Sequence, residues 1–177
     1  MYEWIPTKNN RKTVKLIMLL FLGAGLLMAT TVAFRGIPYR WAFQLVALGL
    51  LTVAIFFTTR YVMKSFLYRV ISDGQGGEDL TVSELTSGGR RQVTVCRVGL
   101  EGIYERIFLD FTDGGASQSR WREIKKTRRK IFDYSSDLKP EKCMVLYLRE
   151  GGEDLTLRLD YDKTLYDLLT PTEQEDA

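Results

Sequence analysis

Two apolar runs decide the fold: Leu16–Phe34 reads LIMLLFLGAGLLMATTVAF, and Trp41–Thr59 reads WAFQLVALGLLTVAIFFTT. Neither run carries a charged side chain, and only the segment Arg35–Arg40 (RGIPYR) separates them. As a helix rising about 1.5 Å per residue, each run would extend about 28 Å, close to the roughly 30 Å hydrocarbon core of a bilayer. The sequence therefore predicts a membrane α-helical hairpin over residues 16–59.

Two other interpretations fit these runs less well. A buried pair of core helices needs protein on every side, and the mostly polar remainder of the chain is too small to surround two apolar helices. A cleaved signal peptide over residues 8–33 is suggested by Thr31-Val32-Ala33 behind an apolar segment. That segment is long, however, and a second apolar run follows it at once.

Cations flank the predicted hairpin at its two outer ends. They are Lys8, Arg11, Lys12 and Lys15 before the first run, and Arg60, Lys64 and Arg69 after the second. The loop between the runs holds only Arg35 and Arg40. Because cationic flanks resist translocation, this pattern predicts a multi-pass protein of the cell membrane with both termini in the cytoplasm. Residues 1–15 would form a cytosolic basic flank.

The two runs contain small residues suited to helix packing. These are Gly25 and Ala29 in the first run and Ala47 and Gly49 in the second. Packing between the two helices of the hairpin accounts for them without an oligomer. Neither run has a carboxylate or lysine that could carry a proton or ion, so a transporter role for this chain alone is not expected.

Residues 64–170 change to the two-residue period of β-strands. Residues 66–72 are rich in aromatic and β-branched residues, apolar and polar residues alternate through 80–83 and 92–98, and glycine-containing turns separate these segments. This pattern predicts a three-stranded meander. Residues 99–109 combine isoleucines at helical spacing with strand-type aromatic residues, so they fit either a helix or a strand.

The clearest hairpin signal comes later in the chain. Cys143–Leu148 and Leu155–Tyr161 are apolar-rich segments on either side of Gly151-Gly152. Ile131–Tyr134 is a short strand candidate, and Cys96 and Cys143 are expected to be reduced thiols inside strands.

A short helix is expected to close the domain. Asp162 is its expected N-cap, and Pro171 lies beyond its end. Its apolar face would consist of Leu165, Leu168 and Leu169 and would cover an open end of the sheet.

The order of these elements resembles a known family. The features that carry the resemblance are Tyr68-Arg69-Val70 after the second run, Gln92–Val98 leading into Gly99–Ile103, the Cys143–Tyr161 hairpin and the closing helix. They resemble small bacterial membrane proteins with a cytosolic pleckstrin-homology-like (PH-like) domain, the YcxB-like and related bacterial PH types.

The resemblance implies a membrane α-helical hairpin plus a mainly-β PH-like domain of six or seven antiparallel strands and one C-terminal helix. The domain would cover residues 64–170, followed by an acidic tail at residues 171–177. The resemblance implies a binding or scaffolding module and supplies no catalytic residues.

The composition removes the usual parts of several enzyme classes. The chain has no histidine, which is the commonest general base and metal ligand. Carboxylates are paired at Glu78-Asp79, Glu153-Asp154 and Asp160-x-Asp162, but no complete calcium-loop pattern accompanies them. Gly74–Gly77 lacks the continuation typical of a phosphate-binding loop. We therefore expect neither an enzyme nor a bound metal or cofactor.

Charge is distributed unevenly along the chain. Residues 131–177 contain five cations and twelve acids, a formal charge of −7, so the total of +3 leaves +10 for residues 1–130. The densest basic segment is residues 120–130, the basic run, in which Glu123 is the only acid. Its cations are Arg120, Arg122, Lys125, Lys126, Arg128, Arg129 and Lys130.

Several interpretations of the basic run stay open. It could be a solvated loop whose charge follows the positive-inside bias, or a loop that docks the domain on anionic lipid or a protein partner. In the docking interpretation, Trp121 and Ile124 would insert beside the cations. A phospholipid-headgroup site is a further possibility. Nucleic acid is not expected as a partner, because the run has one aromatic residue and no recognised reading motif.

The sequence leads to one functional hypothesis and one alternative. The hypothesis is a membrane-anchored, non-catalytic interaction or regulatory module that presents its domain at the cytoplasmic face, with membrane lipids and an unidentified protein as partners. The alternative is a small accessory subunit whose hairpin packs into a larger membrane enzyme or transporter.

Overall fold

The chain divides into two compact units in the computed structural model, Asn9–Lys64 and Met1–Lys8 together with Ser65–Ala177. The structure describes residues 1–8, 11–34, 36, 39–72, 74, 77–86, 89–112, 115–127 and 129–169. The predicted acidic tail, residues 171–177, therefore lies outside the described residues. We call the two units the helical hairpin and the β-domain.

The helical hairpin contains both predicted helices. Helix α1 spans Arg11–Ala33, and α2 spans Arg40–Phe57 and continues as a π-helical segment, Thr58–Met63. The prediction of two helices is confirmed, and both are long and apolar enough to cross a membrane. Threonine hydroxyls inside these helices donate to backbone carbonyls of the preceding turn, as Thr31 does to Met28 at 2.8 Å.

Helices α1 and α2 pack against each other along a seam with a seven-residue repeat. The buried positions that follow this repeat are Ile17, Ala24 and Thr31 in α1 and Ala47 and Ala54 in α2, and Thr13 is also buried, in the first turn of α1. Residues seven apart lie on one face of a helix, which gives a continuous contact line. Small residues in this line let the two backbones approach closely.

Of the four small residues singled out in the sequence, only Ala47 lies in this seam. Gly25, Ala29 and Gly49 are on exposed surfaces of the hairpin. A Cβ atom added at Gly25 or Gly49 would meet nothing within 4 Å. Their flat surfaces are therefore not used for packing between α1 and α2.

The β-domain has eight strands among the described residues, arranged as two four-stranded sheets. Sheet A has the order β1-β2-β3-β4. Its strands are β1 Tyr2–Trp4, β2 Ser65–Ser72, β3 Glu78–Thr86 and β4 Arg91–Gly99. Sheet B has the order β5-β7-β8-β6. Its strands are β5 Ile103–Asp110, β6 Lys130–Asp133, β7 Lys142–Glu150 and β8 Glu153–Asp160. Two helices accompany the sheets, α3 Gly115–Lys126 and α4 Lys163–Leu168.

The expected six or seven antiparallel strands need correction in number and direction. The predicted meander forms β2, β3 and β4, but β1 adds a strand from the segment before the hairpin. Strand β6 pairs with β8 in parallel. The intervening strand β7 runs in the opposite direction and pairs antiparallel with β8. The ambiguous residues 99–109 form a single 3-10 turn, Leu100–Gly102, followed by β5.

The main hydrophobic core of the domain includes residues from both sheets. Tyr68, Leu80 and Val82 from sheet A join Met144 and Leu146 from β7 in one buried cluster. Alternate residues of β7 belong to a second cluster, which includes Cys143 and Val145. Because β7 is buried on both faces, its sequence is a nearly continuous apolar run.

The predicted β7–β8 hairpin and closing helix are confirmed. Gly151 and Gly152 have φ values of 57° and 82°, the positive values that a tight two-residue turn requires. The Asp162 carboxylate caps α4 by accepting a hydrogen bond from the Leu165 amide at 3.0 Å. The expected apolar face is wrong at Leu168, which is exposed.

Leu165 and Leu169 are buried in the main core, so these two residues carry the apolar face of the closing segment. Both cysteines are free and lie inside strands, as predicted. Burial raises the pKa of the Cys96 and Cys143 thiols.

Candidate interaction surface

The basic run begins in a helix, so its assignment as a loop was wrong. Residues 115–126 form α3, in which arginine, lysine, glutamine and glutamate all favour helical structure. Trp121 and Ile124 are three residues apart and therefore lie on one face. With only these two large apolar residues, the helix has too weak a period to be recognised from the sequence.

Helix α3 is attached through its apolar face. Ile124 is 4% exposed and belongs to the cluster formed by β5 and β7, which includes Ile107, Leu109 and Val145. Trp121 packs against the same cluster. The expectation that Trp121 and Ile124 insert into lipid is therefore corrected, because both side chains are engaged by the β-domain.

A buried arginine reinforces this attachment. The Arg158 side chain, on β8, is 7% exposed and donates from Nη1 to Asp133 Oδ2 at 3.0 Å. Its guanidinium lies 4.6 Å from the centroid of the Trp121 ring, a cation–π contact. Arg158 thus connects α3 with β6 and β8 and fixes the orientation of the helix.

Four cations project from α3 into solvent: Arg120, Arg122, Lys125 and Lys126. Over the described residues, none of them has a carboxylate oxygen within 4.0 Å. Lys125 Nζ lies 5.2 Å from the Trp121 ring centroid. We call these four residues the α3 cations. Within α3 their charge is opposed only by Glu123, which is also exposed.

The remaining cations of the basic run differ from the α3 cations. Arg129 is partly buried, with its guanidinium 4.9 Å from the Tyr147 ring centroid. Lys130 forms an exposed ion pair with Glu153 at 2.5 Å. Arg128 lies outside the described residues. The density of cations in the sequence therefore overstates how many of the seven side chains are available to contact a lipid or a protein partner.

A shallow depression of about 470 Å³ lies where the basic run meets sheet B. Its lining residues are Thr127, Arg129, Lys130, Glu153 and Asp154. The two carboxylates already face cations, since Asp154 also pairs with Arg149 at 3.0 Å. With charge of both signs in its wall, the depression is a poorer anion site than the exposed face of α3.

Buried polar groups in the core serve the fold. Tyr68 donates to the Tyr134 carbonyl at 2.8 Å, and the Ser136 amide donates to Asp160 Oδ2 at 2.8 Å. Burial raises the pKa of Asp160 against the effect of this hydrogen bond. Among the residues that the structure describes, no group of three or more His, Cys, Asp or Glu side chains is placed to hold a metal ion.

Sequence reasoning missed a second surface, at the edge of sheet A. Strand β1 pairs antiparallel with β2 in the register Tyr2↔Val70, Glu3↔Arg69 and Trp4↔Tyr68. The signal was present in Tyr2-Glu3-Trp4, an alternation of aromatic and charged residues typical of a strand. Three residues are too few for periodicity to be recognised, and the partner strand follows more than sixty positions later.

Comparisons with protein-family models, with curated proteins and with solved structures return no match. The two surfaces are therefore interpreted from their own residues.

Proposed function

We propose that this chain is a membrane-anchored, non-catalytic interaction module whose β-domain docks on anionic lipid through α3. The observation that carries the proposal is the set of four exposed α3 cations, none of which pairs with a carboxylate among the described residues. Each cation near an anionic bilayer surface contributes about 1 kcal/mol, so four contribute about 4 kcal/mol before losses. A domain already tethered to the membrane needs little additional affinity to stay at the surface.

The proposed topology is a multi-pass hairpin with both termini in the cytoplasm. Pairing of β1 with β2 supports it, because these strands precede α1 and follow α2. If both helices cross the membrane, their outer ends return to the same side, as the pairing requires. The flanking cations favour the cytoplasmic side. A PH-like fold for the β-domain remains a prediction from element order.

The test uses the full chain in lipid nanodiscs. An environment-sensitive fluorophore is attached at Ser119→Cys on α3 in a Cys96→Ser background, and a control label is attached at Glu101→Cys. We expect nanodiscs containing about one third phosphatidylglycerol, rather than phosphatidylcholine alone, to shift emission of the α3 label only, and salt to reverse the shift.

A matched pair of charge variants tests the residues. Replacing the α3 cations with Gln should abolish the shift. The control variant removes the same charge from other exposed positions and should keep most of the emission shift. Its changes to Gln are at Arg90, Arg91, Lys139 and Lys163. An equal response of the two variants would reduce the effect to net charge, and no response of the wild-type chain would refute lipid docking.

The alternative function, an accessory subunit, is favoured by a different observation. Gly25, Ala29 and Gly49 lie on exposed surfaces away from the α1–α2 seam, where another helix could approach closely. Replacing Gly25 and Gly49 with Leu should leave the lipid response unchanged. If the same change abolishes detergent-stable association with a larger membrane protein, the accessory-subunit function is favoured.

A further inference from the structure

Strand β1 occupies the edge of sheet A with a distinct contact at each of its three residues. Tyr2 donates its hydroxyl to Asp162 Oδ2 at 2.6 Å. Glu3 forms an ion pair with Arg69 at 3.0 Å, and the Trp4 ring centroid lies 5.6 Å from that of Tyr68. The edge of β2 thus offers a cationic position at Arg69 and an aromatic position at Tyr68, and Asp162 of the α4 N-cap supplies a polar group beside it.

Two of the three receiving residues, Tyr68 and Asp162, are anchored independently of β1, whereas Arg69 faces Glu3 of β1. Tyr68 is fully buried and is held by its hydrogen bond to the Tyr134 carbonyl. Asp162 is the N-cap of α4. Val70 is also buried in the main core. The edge of β2 is therefore preformed for an extended segment.

Tyr2 and Trp4 of β1 pack against the main core but are only partly buried, whereas Tyr68 and Val70 of β2 are fully part of it. Ordering one residue costs about 1–2 kcal/mol of conformational entropy, and β1 has only three residues with which to offset that cost. The Glu3–Arg69 pair is partly exposed and contributes little, as exposed ion pairs do. Short edge segments of this kind open at low free energy while the rest of a domain stays folded.

We propose that the edge of β2 is a docking site for an extended segment of a partner protein, and that β1 is the chain's own occupant of this site. The partner segment pairs antiparallel with β2 through backbone hydrogen bonds, which is strand addition to a sheet edge. Its side chains follow the pattern aromatic, acidic, aromatic, because these types fit Asp162, Arg69 and Tyr68. The proposal does not depend on lipid docking by α3.

A second copy of the chain is a less suitable occupant. Its Tyr2-Glu3-Trp4 segment would make the same contacts in trans that β1 makes in cis. The cis segment belongs to the same chain, so a second copy would have to compete with an intramolecular contact. A partner segment can exceed β1 in affinity by extending the pairing along β2, which continues to Ser65 and Ser72 beyond the three residues that β1 covers.

The test uses the full chain in detergent with β1 disabled by Tyr2→Ser, Glu3→Ser and Trp4→Ser. The probe is a fluorescein-labelled peptide with the sequence of residues 1–7, MYEWIPT. We expect saturable binding to the variant and at least tenfold weaker binding to the wild-type chain, where β1 competes. If the triple variant does not fold, Glu3→Lys in the full chain unseats β1 by facing Arg69 and allows the same titration.

A charge exchange makes the test specific. A peptide with Lys in place of Glu3 should bind the variant at least tenfold more weakly, and an added Arg69→Glu change should reverse that preference. Absence of binding to a variant whose β7 and β8 amides stay protected would refute the docking site. Peptide-competed oligomers of the wild-type chain would also refute the proposal as stated, since they would identify strand exchange between copies.

Discussion

Strand β1 and helix α3 each cover part of a sheet, but they are attached in different ways. Helix α3 buries Ile124 and stacks Trp121 on the buried Arg158, so its attachment is apolar and enclosed. Strand β1 makes three edge contacts, of which the Glu3–Arg69 pair is partly exposed. The difference indicates that α3 is a fixed platform for its cations, whereas β1, whose Tyr2 and Trp4 are only partly buried, should open more easily than α3.

The largest expected loss of stability comes from removing Ile124, the apolar anchor of α3. Ile124→Ala should lower the free energy of unfolding by about 2–3 kcal/mol, because it removes buried methyl groups and leaves a cavity against β5 and β7. Denaturant unfolding of the full chain in detergent measures the change. Glu123→Ala, at an exposed position of the same helix, is the control. A loss no larger than that of the control would show that α3 is not anchored through Ile124.

The buried arginine provides the next largest effect. Arg158→Met should cost about 1–3 kcal/mol, because Asp133 loses its partner and Trp121 loses the stacked guanidinium. Arg158→Lys keeps the charge but not the planar contact, so its cost should be smaller. Amide exchange in α3 reports the attachment directly. Unchanged exchange in Arg158→Met would show that Arg158 does not fix the helix.

Changes in β1 should be local and smaller. Tyr2→Phe removes one hydrogen bond to Asp162, and a loss of about 1 kcal/mol would accelerate exchange of the amides that pair β1 with β2 about fivefold. The free energy of global unfolding should change little. If Tyr2→Phe instead destabilised the whole domain as much as Ile124→Ala, β1 would not be a separately opening segment.

The last expected effect is confined to alkaline pH. Burial, followed by the hydrogen bond and charge of Asp162, raises the pKa of Tyr2 to about 12 from 10.0. The neutral hydroxyl is therefore favoured when β1 is seated, and its contribution is complete below pH 10.0 and is lost as pH rises through about 12. In the wild-type chain, the β2 amides should exchange faster at high pH than the usual acceleration by hydroxide explains. The Tyr2→Phe variant should show only the usual acceleration.

Local signals predicted much of the fold. The two apolar helices, the β2–β4 meander, the Gly151-Gly152 hairpin and the Asp162 cap are each encoded within a few neighbouring residues. The β1–β2 pair and the parallel β6–β8 pair join segments that are distant in sequence, and their short strands have little pattern of their own. Leu168 was assigned to the buried face because it follows the helical period, but the helix ends there and leaves it exposed.

Only part of the candidate surface could be predicted from the sequence. Charge density identified the basic run, but it could not reveal that Lys130 pairs with Glu153 or that Arg129 lies over Tyr147. It also could not show that Trp121 is held by Arg158, because that contact depends on the position of β8 beneath α3. Among the described residues of the basic run, the structure therefore narrows the candidate lipid contacts to Arg120, Arg122, Lys125 and Lys126.

Amide exchange of the full chain in neutral and anionic nanodiscs tests lipid docking by α3 most directly. Both regions are followed in one sample, α3 through residues 115–127 and the β1 site through the amides of β2. We predict that anionic lipid slows exchange in α3 severalfold, that salt reverses the effect and that β2 exchanges equally in both lipids. Equal exchange of α3 in neutral and anionic nanodiscs would contradict the account.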